Sequence, residues 1–206
     1  MGLDSRYIYR MTHIDNISHI VQNGITHINS PNKNPNYKNI GDISLISSRN
    51  SLILPNGRTL GEYIPFYFGK KMPMLYVIQK GYNGVSITLP EDIVYCASNV
   101  QKIVDSNIDY LFTDGHAKDG YSSFYTEKDV NSIDNIIDLA AINSRNWKHE
   151  NDLDLKRRKE AEFLVGNDVP FTCLKGFIVY NKEAKDKMIQ SGINEDIIFI
   201  NPNDYF

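Results

Sequence analysis

The residue with the clearest chemical potential is Glu162, a single carboxylate in the apolar stretch AEFLV (161–165). The stretch predicts a β-strand, in which side chains alternate, so Glu162 shares a face with Leu164. A buried carboxylate is costly unless it is paired or hydrogen-bonded. Two interpretations follow. Glu162 is either an ion-pair partner of Arg157 or Arg158, or a group that binds ligand hydroxyls and stabilises developing positive charge.

A second polar group of residues lies at the end of the first predicted strand, residues 6–14, which is rich in aromatic and β-branched residues. His13 stands there with Thr12, Asp15 and Asn16, where a helix is predicted to begin. A helix start exposes backbone N–H groups and suits the phosphates of a nucleotide. A lone histidine is more often a core or capping residue, so both interpretations stay open.

Three further segments combine residue types that occur in functional sites. Arg49 ends residues 42–50, which we predict to form a strand, and a surface arginine is the alternative. The aromatic run PFYFG (65–69) can form core or stack on a planar ring. The segment FTDGHA (112–117) resembles a functional loop, although a tight turn would look similar.

A basic strip, residues 143–159, surrounds the only tryptophan, Trp147. Cations beside an aromatic ring are typical of single-stranded nucleic-acid grooves, where phosphates meet Lys or Arg and bases stack. Acidic residues intervene in the strip, so a solvated charged helix is the alternative. The cations of the basic strip are Arg145, Lys148, Lys156, Arg157, Arg158 and Lys159.

The elements that must position these residues are mainly short strands that do not alternate regularly with helices, which favours an α+β fold. Residues 28–41, dense in Asn and Pro, predict a loop. Further strands are predicted at 74–79, 92–98, 110–113, 161–165, 175–180 and 196–202. Helices are predicted at 16–24, 100–107, 131–142 and 182–192.

Length and composition set the outer limits. The 206 residues predict one domain, residues 1–206, and the net charge of −3 gives no global signal for nucleic acid, which would need a local basic patch. The two cysteines, Cys96 and Cys173, have no spacing typical of a disulfide framework or a zinc site, so we expect no metal. No segment predicts a signal peptide or a membrane span, and we expect a cytoplasmic protein without a membrane partner.

Six blocks of the sequence, taken in order, resemble the DarT family of DNA-directed ADP-ribosyltransferase toxins. The blocks are YRMTHIDNISHIVQNGI, LISSRN, GEYIPFYFGKKMPMLYVI, DIVYCASNVQKI, YLFTDGHA and KRRKEAEFLV. The resemblance covers most of the chain. It implies an ADP-ribosyltransferase-like fold, with a split β-sheet core around an NAD+ cleft and flanking helices. It also implies a toxin that transfers ADP-ribose from NAD+ to a base, typically thymine, in single-stranded DNA and blocks replication.

The resemblance also assigns roles to particular residues. The catalytic glutamate of the family falls on Glu162 and its catalytic arginine on Arg49. The NAD+ site falls on His13 and Asn16, with Thr12 beside them and Tyr67 packing on nicotinamide. DNA contacts are implied for His116 and Met74, and the basic strip adds the candidates Arg145, Trp147, Lys156, Arg157 and Arg158. Lys70 and Lys71 depart from the family pattern, which has a proline and an arginine after FYFG.

The implied chemistry agrees with these residue types. Loss of nicotinamide develops positive charge on the ribose, which a carboxylate stabilises, and a thymine inside a duplex cannot present N3. The family also implies a macrodomain antitoxin as partner. Two alternatives remain at this point: the same fold acting on guanine, RNA or protein, and a non-catalytic module that binds DNA or a nucleotide.

Overall fold

A computed structural model describes residues 2–206 and contains one mixed β-sheet flanked by short helices. The strands are β1 (Tyr7–His13), β2 (Ile64–Tyr67), β3 (Ile93–Asn99), β4 (Tyr110–Thr113), β5 (Phe124–Tyr125), β6 (Glu162–Val165), β7 (Gly176–Val179) and β8 (Ile198–Ile200). The helices are α1 (Ile17–Asn23), α2 (Ile43–Asn50), α3 (Pro73–Lys80), α4 (Val100–Asp105), α5 (Ile133–Ile136), α6 (Leu139–Asn143), α7 (Leu155–Lys159) and α8 (Lys182–Gln190).

The sheet is continuous, in the order β5-β4-β6-β2-β1-β3-β7-β8. The pair β7–β8 is parallel, and the other neighbouring pairs within residues 2–206 are antiparallel. β1 and β3 pair along their whole lengths, from Tyr7 opposite Asn99 to His13 opposite Ile93. Helices and strands therefore mix without regular alternation, and the expected α+β class is confirmed.

Strand alternation gives the sheet two differently packed faces. One face carries a single large hydrophobic cluster that includes Phe66 of β2 and Phe163 of β6. The opposite face carries two separate clusters, one over β3 and β7 around Tyr95, and one over β4 and β6 around Leu164. Strand β2 lies between these two clusters in the sheet order. The split expected in the core is therefore a gap in the packing over a continuous sheet.

Two segments predicted as strands are helices, and local capping explains both errors. Within residues 42–50, Asp42 caps α2: its carboxylate accepts hydrogen bonds from the N–H groups of Ser44 (2.8 Å) and Leu45 (3.1 Å). Residues 74–79 lie in α3, which has Pro73 at its first position and Gly81 in the left-handed conformation at its end. The apolar run of α3 therefore reflects a buried helix face and not a strand.

The helix predicted at 131–142 is divided. Helix α5 ends at Ile136, Ile137 is extended, and Asp138 then caps α6 by accepting the N–H of Ala141 at 2.9 Å. The remaining predicted strands and helices are present with small differences at their ends. No helix among residues 2–206 is both long and apolar enough to cross a membrane. The expectation of one domain over residues 1–206 stays a prediction.

Gly24 ends α1 in a backbone conformation (φ 75°, ψ −169°) that only glycine adopts without strain. Its neighbour Ile25 forms a bridge with Val169, and a Cβ atom at Gly24 would lie 2.2 Å from the carbonyl oxygen of Val169. This glycine therefore lets α1 close against the segment that follows β6.

We expect Gly24→Ala to lower the free energy of unfolding by more than Gly192→Ala, measured by urea denaturation. Gly192 also has a positive φ (92°), but a Cβ there would meet nothing within 4 Å. The control should therefore lose only the conformational cost of about 1–3 kcal/mol, whereas Gly24→Ala adds a collision with backbone. Equal losses in the two variants would contradict the close approach at Val169.

Candidate active site

Glu162 is fully buried at the first position of β6, and both of its carboxylate oxygens are hydrogen-bonded. Oε2 accepts from Nη1 of Arg49 at 2.9 Å, and Oε1 accepts from the backbone N–H of Ala117 at 2.9 Å. The expected alternation is confirmed, since Leu164 belongs to the cluster on the second face. The partner of Glu162 is Arg49, so the alternative pairing with Arg157 or Arg158 was wrong.

Arg49 comes from the last turn of α2 and is the one buried residue of that helix, at 8% exposure. Its Nη1 donates a hydrogen bond to Glu162, but Nη2 is buried and has no hydrogen-bond partner among residues 2–206. A buried guanidinium donor left without an acceptor carries a desolvation cost. The geometry therefore leaves one charged donor ready for an acceptor atom of a ligand.

The rest of α2 is largely solvent-exposed. Ile43 and Ile46 are 75% and 41% exposed, so apolar burial contributes little to holding this helix. Its side chains reach the site through Arg49 and through Ser48, whose Oγ accepts from Nζ of Lys118 at 2.5 Å. The ion pair of Arg49 with Glu162 is therefore a principal attachment of α2 to the sheet.

Tyr67 lies directly opposite Glu162 across the β2–β6 pair and opposite Tyr9 across the β1–β2 pair. Burial raises the pKa of Tyr67 far above its ordinary value, and the carboxylates of Glu162 and Glu160 add to the effect. The phenol is therefore neutral at physiological pH. It places a flat aromatic ring on the second face of the sheet, beside the buried ion pair.

His13 ends β1 and caps the following helical turn, with its Nδ1 accepting the N–H of Asp15 at 3.1 Å. Partial burial is the largest effect on its pKa, which lies below the usual value. An acceptor role for Nδ1 leaves the proton on Nε2 in the neutral ring. The remaining donor of the ring is therefore its Nε2–H.

Thr12 and Asn16 are buried at the same corner and tie the Asn/Pro loop, residues 28–41, to the sheet. Nδ2 of Asn16 donates to Oγ1 of Thr12 (3.0 Å) and to the carbonyl of Lys38 (2.9 Å). Its Oδ1 accepts from the N–H of Lys38 (2.9 Å) and from Nδ2 of Asn34 (3.3 Å). The side chain of Asn16 therefore anchors the loop, and contacts of Thr12 or Asn16 with a ligand stay predictions.

His116 lies in the loop that follows β4, in the same loop as Ala117. Its N–H donates to the carbonyl of Arg157 at 2.9 Å, and its Nδ1 accepts the N–H of Lys118 at 3.2 Å. Burial lowers the pKa of His116, and the carboxylate of Glu162 opposes this in part. The loop was recognised from FTDGHA, but the role of the Ala117 N–H was not, because a backbone donor leaves no mark in the sequence.

Three cations of the basic strip already have hydrogen-bond or ion-pair partners within the chain. Arg157 pairs with Asp154 (2.7 Å) and with Asp114 (3.1 Å). Arg158 pairs with three carboxylates, and Lys159 is buried with Nζ donating to two carbonyls. Those acceptors are Asp138, Asp152 and Asp154 for Arg158, and Ile142 and Ser144 for Lys159. These contacts give the three cations a structural role, and DNA contacts of Arg157 and Arg158 stay predictions.

The other members of the DNA-binding set are placed differently. Arg145, Lys148 and Lys156 are exposed. Trp147 packs against Tyr76 and Phe206, with ring centroids 5.5 Å and 5.6 Å away, respectively. Met74 on α3 is half-buried against the cluster around Tyr95.

The two lysines that depart from the family pattern also have partners. Lys70 pairs with Asp204 at 2.5 Å, and Nζ of Lys71 lies 5.1 Å from the ring centroid of Phe206. Both therefore connect the end of β2 to the final residues of the chain. Within the part of the chain that the structure describes, no group of three or more His, Cys, Asp or Glu side chains could hold a metal ion.

The comparisons with known proteins agree with the resemblance found in the sequence. A family model described as "DarT: ssDNA thymidine ADP-ribosyltransferase, DarT" matches residues 9–206. A protein of Escherichia coli O127:H6 named DNA ADP-ribosyl transferase is 34% identical over 186 residues, which cover 89% of this chain and 84% of the relative. A Thermosipho africanus fusion of a DNA ADP-ribosyl transferase with a DNA ADP-ribosyl glycohydrolase is 29% identical, over 98% of this chain and 49% of the fusion.

Solved structures give the same result. Thermus sp. 2.9 DarT in complex with ADP-ribosylated ssDNA has a TM-score of 0.84 and 25% identity, covering 98% of this chain and 96% of that chain. The same Thermus protein in complex with NAD+ has a TM-score of 0.81 and 24% identity, covering both chains fully, and thus shares the fold.

The buried ion pair predicts a strong energetic coupling between two residues far apart in sequence. We expect Arg49→Ala and Glu162→Ala each to lower the free energy of unfolding by about 3–5 kcal/mol, because each leaves an unpaired charge buried. The double variant should lose less than the sum, since neither charge then remains. Urea denaturation of the four proteins measures the cycle, and strictly additive losses would show that the pair is not formed in solution.

Proposed function

Since this chain belongs to the DarT family of single-stranded DNA thymidine ADP-ribosyltransferases, we propose that Glu162 and Arg49 form its catalytic pair. The observation that carries this proposal is the buried ion pair in which Nη2 of Arg49 has no acceptor. A purely structural ion pair would gain nothing from an unused, buried charged donor. A catalytic pair gains a donor that a substrate oxygen satisfies on binding.

The donor substrate is NAD+, which supplies the ADP-ribosyl group while nicotinamide leaves. The residues around the ion pair fit this substrate. Nη2 of Arg49 is a free donor for a ribose or phosphate oxygen, and the neutral ring of Tyr67 can pack on nicotinamide. His13 presents an N–H at a helix start, with Thr12 and Asn16 beside it, which suits a phosphate or ribose oxygen.

In this proposal, the fixed negative charge of Glu162 stabilises the positive charge that develops on the ribose. Arg49 and the Ala117 N–H hold one lone pair of each carboxylate oxygen, so lone pairs remain for a ribose hydroxyl. Because the group is already buried and oriented, it needs no reorganisation when positive charge develops nearby. The strand β6 and the loop of Ala117 thereby set the position of the charge.

The acceptor strand is held, in the same proposal, by the exposed cations of the basic strip together with His116 and Met74. A base must leave the stack to present N3, so a single-stranded substrate suits the site. Arg145, Lys148 and Lys156 are exposed, whereas Arg157 and Arg158 already meet carboxylates. The stacking role expected of Trp147 requires one face of its ring to remain open beside Tyr76 and Phe206.

A toxin that modifies DNA requires a partner that reverses the modification. The Thermosipho fusion relative carries a DNA ADP-ribosyl glycohydrolase in the same polypeptide. We therefore propose a macrodomain antitoxin as the partner of this chain. Activity on replicating DNA also implies a cytoplasmic location.

The catalytic role of Glu162 is tested with labelled NAD+ and short single-stranded oligonucleotides that each vary one base. Wild type should label thymine, and Glu162→Gln should lower the rate by at least about 100-fold, because the amide removes a charge from the site. The exposed glutamate of α8, Glu183, provides the matched control Glu183→Gln, which should keep wild-type activity. Circular dichroism confirms folding at the assay temperature. If label appeared only on guanine, RNA or protein, the acceptor would not be thymine. Full activity of Glu162→Gln would exclude a catalytic role for Glu162.

The salt dependence of DNA binding tests whether the exposed cations of the basic strip bind phosphates and the carboxylate-paired cations do not. For a single strand the slope of log K against log salt falls by about 0.7 for each phosphate that the protein no longer neutralises, so Arg145→Ala/Lys148→Ala should reduce it by about 1.4. Arg158→Ala should leave the slope unchanged and lower thermal stability, because its carboxylate partners lose their cation. Lys182→Ala, an exposed lysine of α8, is the control for general charge. A slope change in Arg158→Ala alone would reverse the assignment.

A further inference from the structure

His27 lies just before the Asn/Pro loop, and its imidazole makes a hydrogen bond at each of its two nitrogens. Nε2 lies 2.7 Å from the carbonyl oxygen of Gly61, and Nδ1 accepts the N–H of Asn29 at 3.1 Å. A carbonyl oxygen can only accept, so Nε2 carries the proton and donates it to Gly61. The ring therefore links the start of the Asn/Pro loop to the segment between α2 and β2.

A carboxylate that follows β6 fixes the position of this imidazole. Oδ1 of Asp168 accepts the backbone N–H of His27 at 2.7 Å, and Oδ2 accepts from Oγ of Ser30 at 2.6 Å. Next to these contacts, Ile25 and Val169 form a bridge in which each donates its N–H to the carbonyl of the other. His27 is thus anchored on the segment that directly follows β6.

The acceptor of the imidazole, Gly61, packs closely on Asn50, the residue that follows Arg49 at the end of α2. A Cβ atom at Gly61 would lie 2.9 Å from Cα of Asn50 and would collide with its side-chain Oδ1. The preceding residue, Leu60, is fully buried in the cluster around Leu164. The backbone of Gly61 therefore limits where the end of α2 lies above the sheet.

The position of Arg49 matters because its two terminal nitrogens have different tasks. Nη1 donates to Glu162 at 2.9 Å, whereas Nη2 is the buried donor left for an oxygen of NAD+. Hydrogen bonds weaken steeply as the donor angle departs from linear, so a small shift of the helix end would misdirect Nη2. The ion pair fixes one of these nitrogens, and the packing of Gly61 on Asn50 restricts the backbone behind both.

We propose that His27 is a positioning residue for Arg49, an inference that rests on the proposed function. Through Gly61 it fixes the end of α2, so that Nη2 of Arg49 meets an oxygen of NAD+. The role belongs to the Nε2–H of His27, because the contact of Nδ1 with Asn29 lies within the loop. NAD+ affinity therefore depends on His27, and the affinity for the DNA strand does not.

Two substitutions at position 27 separate the two nitrogens of the ring. His27→Gln places an amide N–H where Nε2–H stood and can still donate to Gly61, whereas His27→Asn reaches only the position of Nδ1. Titration calorimetry should show a Kd for NAD+ that is raised about tenfold in His27→Asn and is close to wild type in His27→Gln. The affinity for a single-stranded oligonucleotide, measured without NAD+, should be equal in the three proteins.

A merely structural role of His27 would give a different result in the same titration. Loss of folded protein lowers the binding stoichiometry and leaves the Kd of the remaining molecules unchanged. An unchanged Kd in His27→Asn, or an equal increase in His27→Gln, would overturn the proposal.

The route through Arg49 is tested in the Arg49→Lys background, which keeps a cation but lacks the Nη2 donor. In this background His27→Asn should raise the Kd for NAD+ no further, because the donor that it misdirects is absent. An increase by the same factor as in the wild-type background would show that His27 acts on NAD+ by another route, against the proposal.

Gly61→Ala tests the packing step, with Gly120→Ala as the matched control. Neither glycine has a positive φ, and a Cβ at Gly120 would meet nothing within 4 Å, so only Gly61→Ala pushes on the backbone of Asn50. Gly61→Ala should raise the Kd for NAD+ by about tenfold or more, and Gly120→Ala should match wild type. A folded Gly61→Ala with the wild-type Kd would overturn the proposal, and if this variant does not fold, the two His27 variants decide.

Failure of the positioning role is distinguishable from failure of the proposed function. If wild type binds NAD+ and His27→Asn binds it equally well, only the role of His27 is contradicted. If wild type binds no NAD+, the proposed function itself is contradicted, and the role of His27 fails with it.

Discussion

The structure depends on one buried ion pair, Arg49 with Glu162, which joins a helix to the central sheet. Its two members are 113 residues apart and come from a helix and a strand that meet only in the folded chain. Bringing both charges out of water is costly, and additional hydrogen bonds help to offset this cost. The Ala117 N–H adds a third contact, which draws the loop after β4 into the same site. Three separate segments are thus organised around a single carboxylate.

Burial then determines the protonation of the groups around this pair. The phenol of Tyr67 stays neutral because burial and nearby carboxylates oppose its ionisation. The imidazoles of His13 and His116 are neutral, and Nδ1 of each ring accepts a hydrogen bond from a backbone N–H. Negative charge in the site therefore resides on carboxylates, at two positions with different environments. Glu162 accepts a hydrogen bond at each of its oxygens, whereas the side chain of Glu160 makes none with any residue between 2 and 206.

Much of this could be predicted from the sequence, but for different reasons at different residues. The inward direction of Glu162 followed from alternation in AEFLV, and the end of α1 followed from Gly24. The strand predicted at 42–50 was wrong because its helix is set by the cap at Asp42, and few of its side chains are buried. Arg49 was identified by resemblance to a family and not by periodicity. The carboxylate partners of Arg157 and Arg158 include Asp114 and Asp138, which only the tertiary fold brings near them.

The exposed position of α2 has a consequence for the order in which the molecule loses its properties on heating. Its one buried residue is the charged Arg49, and its apolar side chains Ile43 and Ile46 face water. Regions with little buried apolar surface open locally at a lower free energy than the global transition. Opening of α2 would withdraw the guanidinium while the sheet remains intact. Local opening of this eight-residue helix would therefore break the ion pair with Glu162 under conditions in which the sheet is still folded.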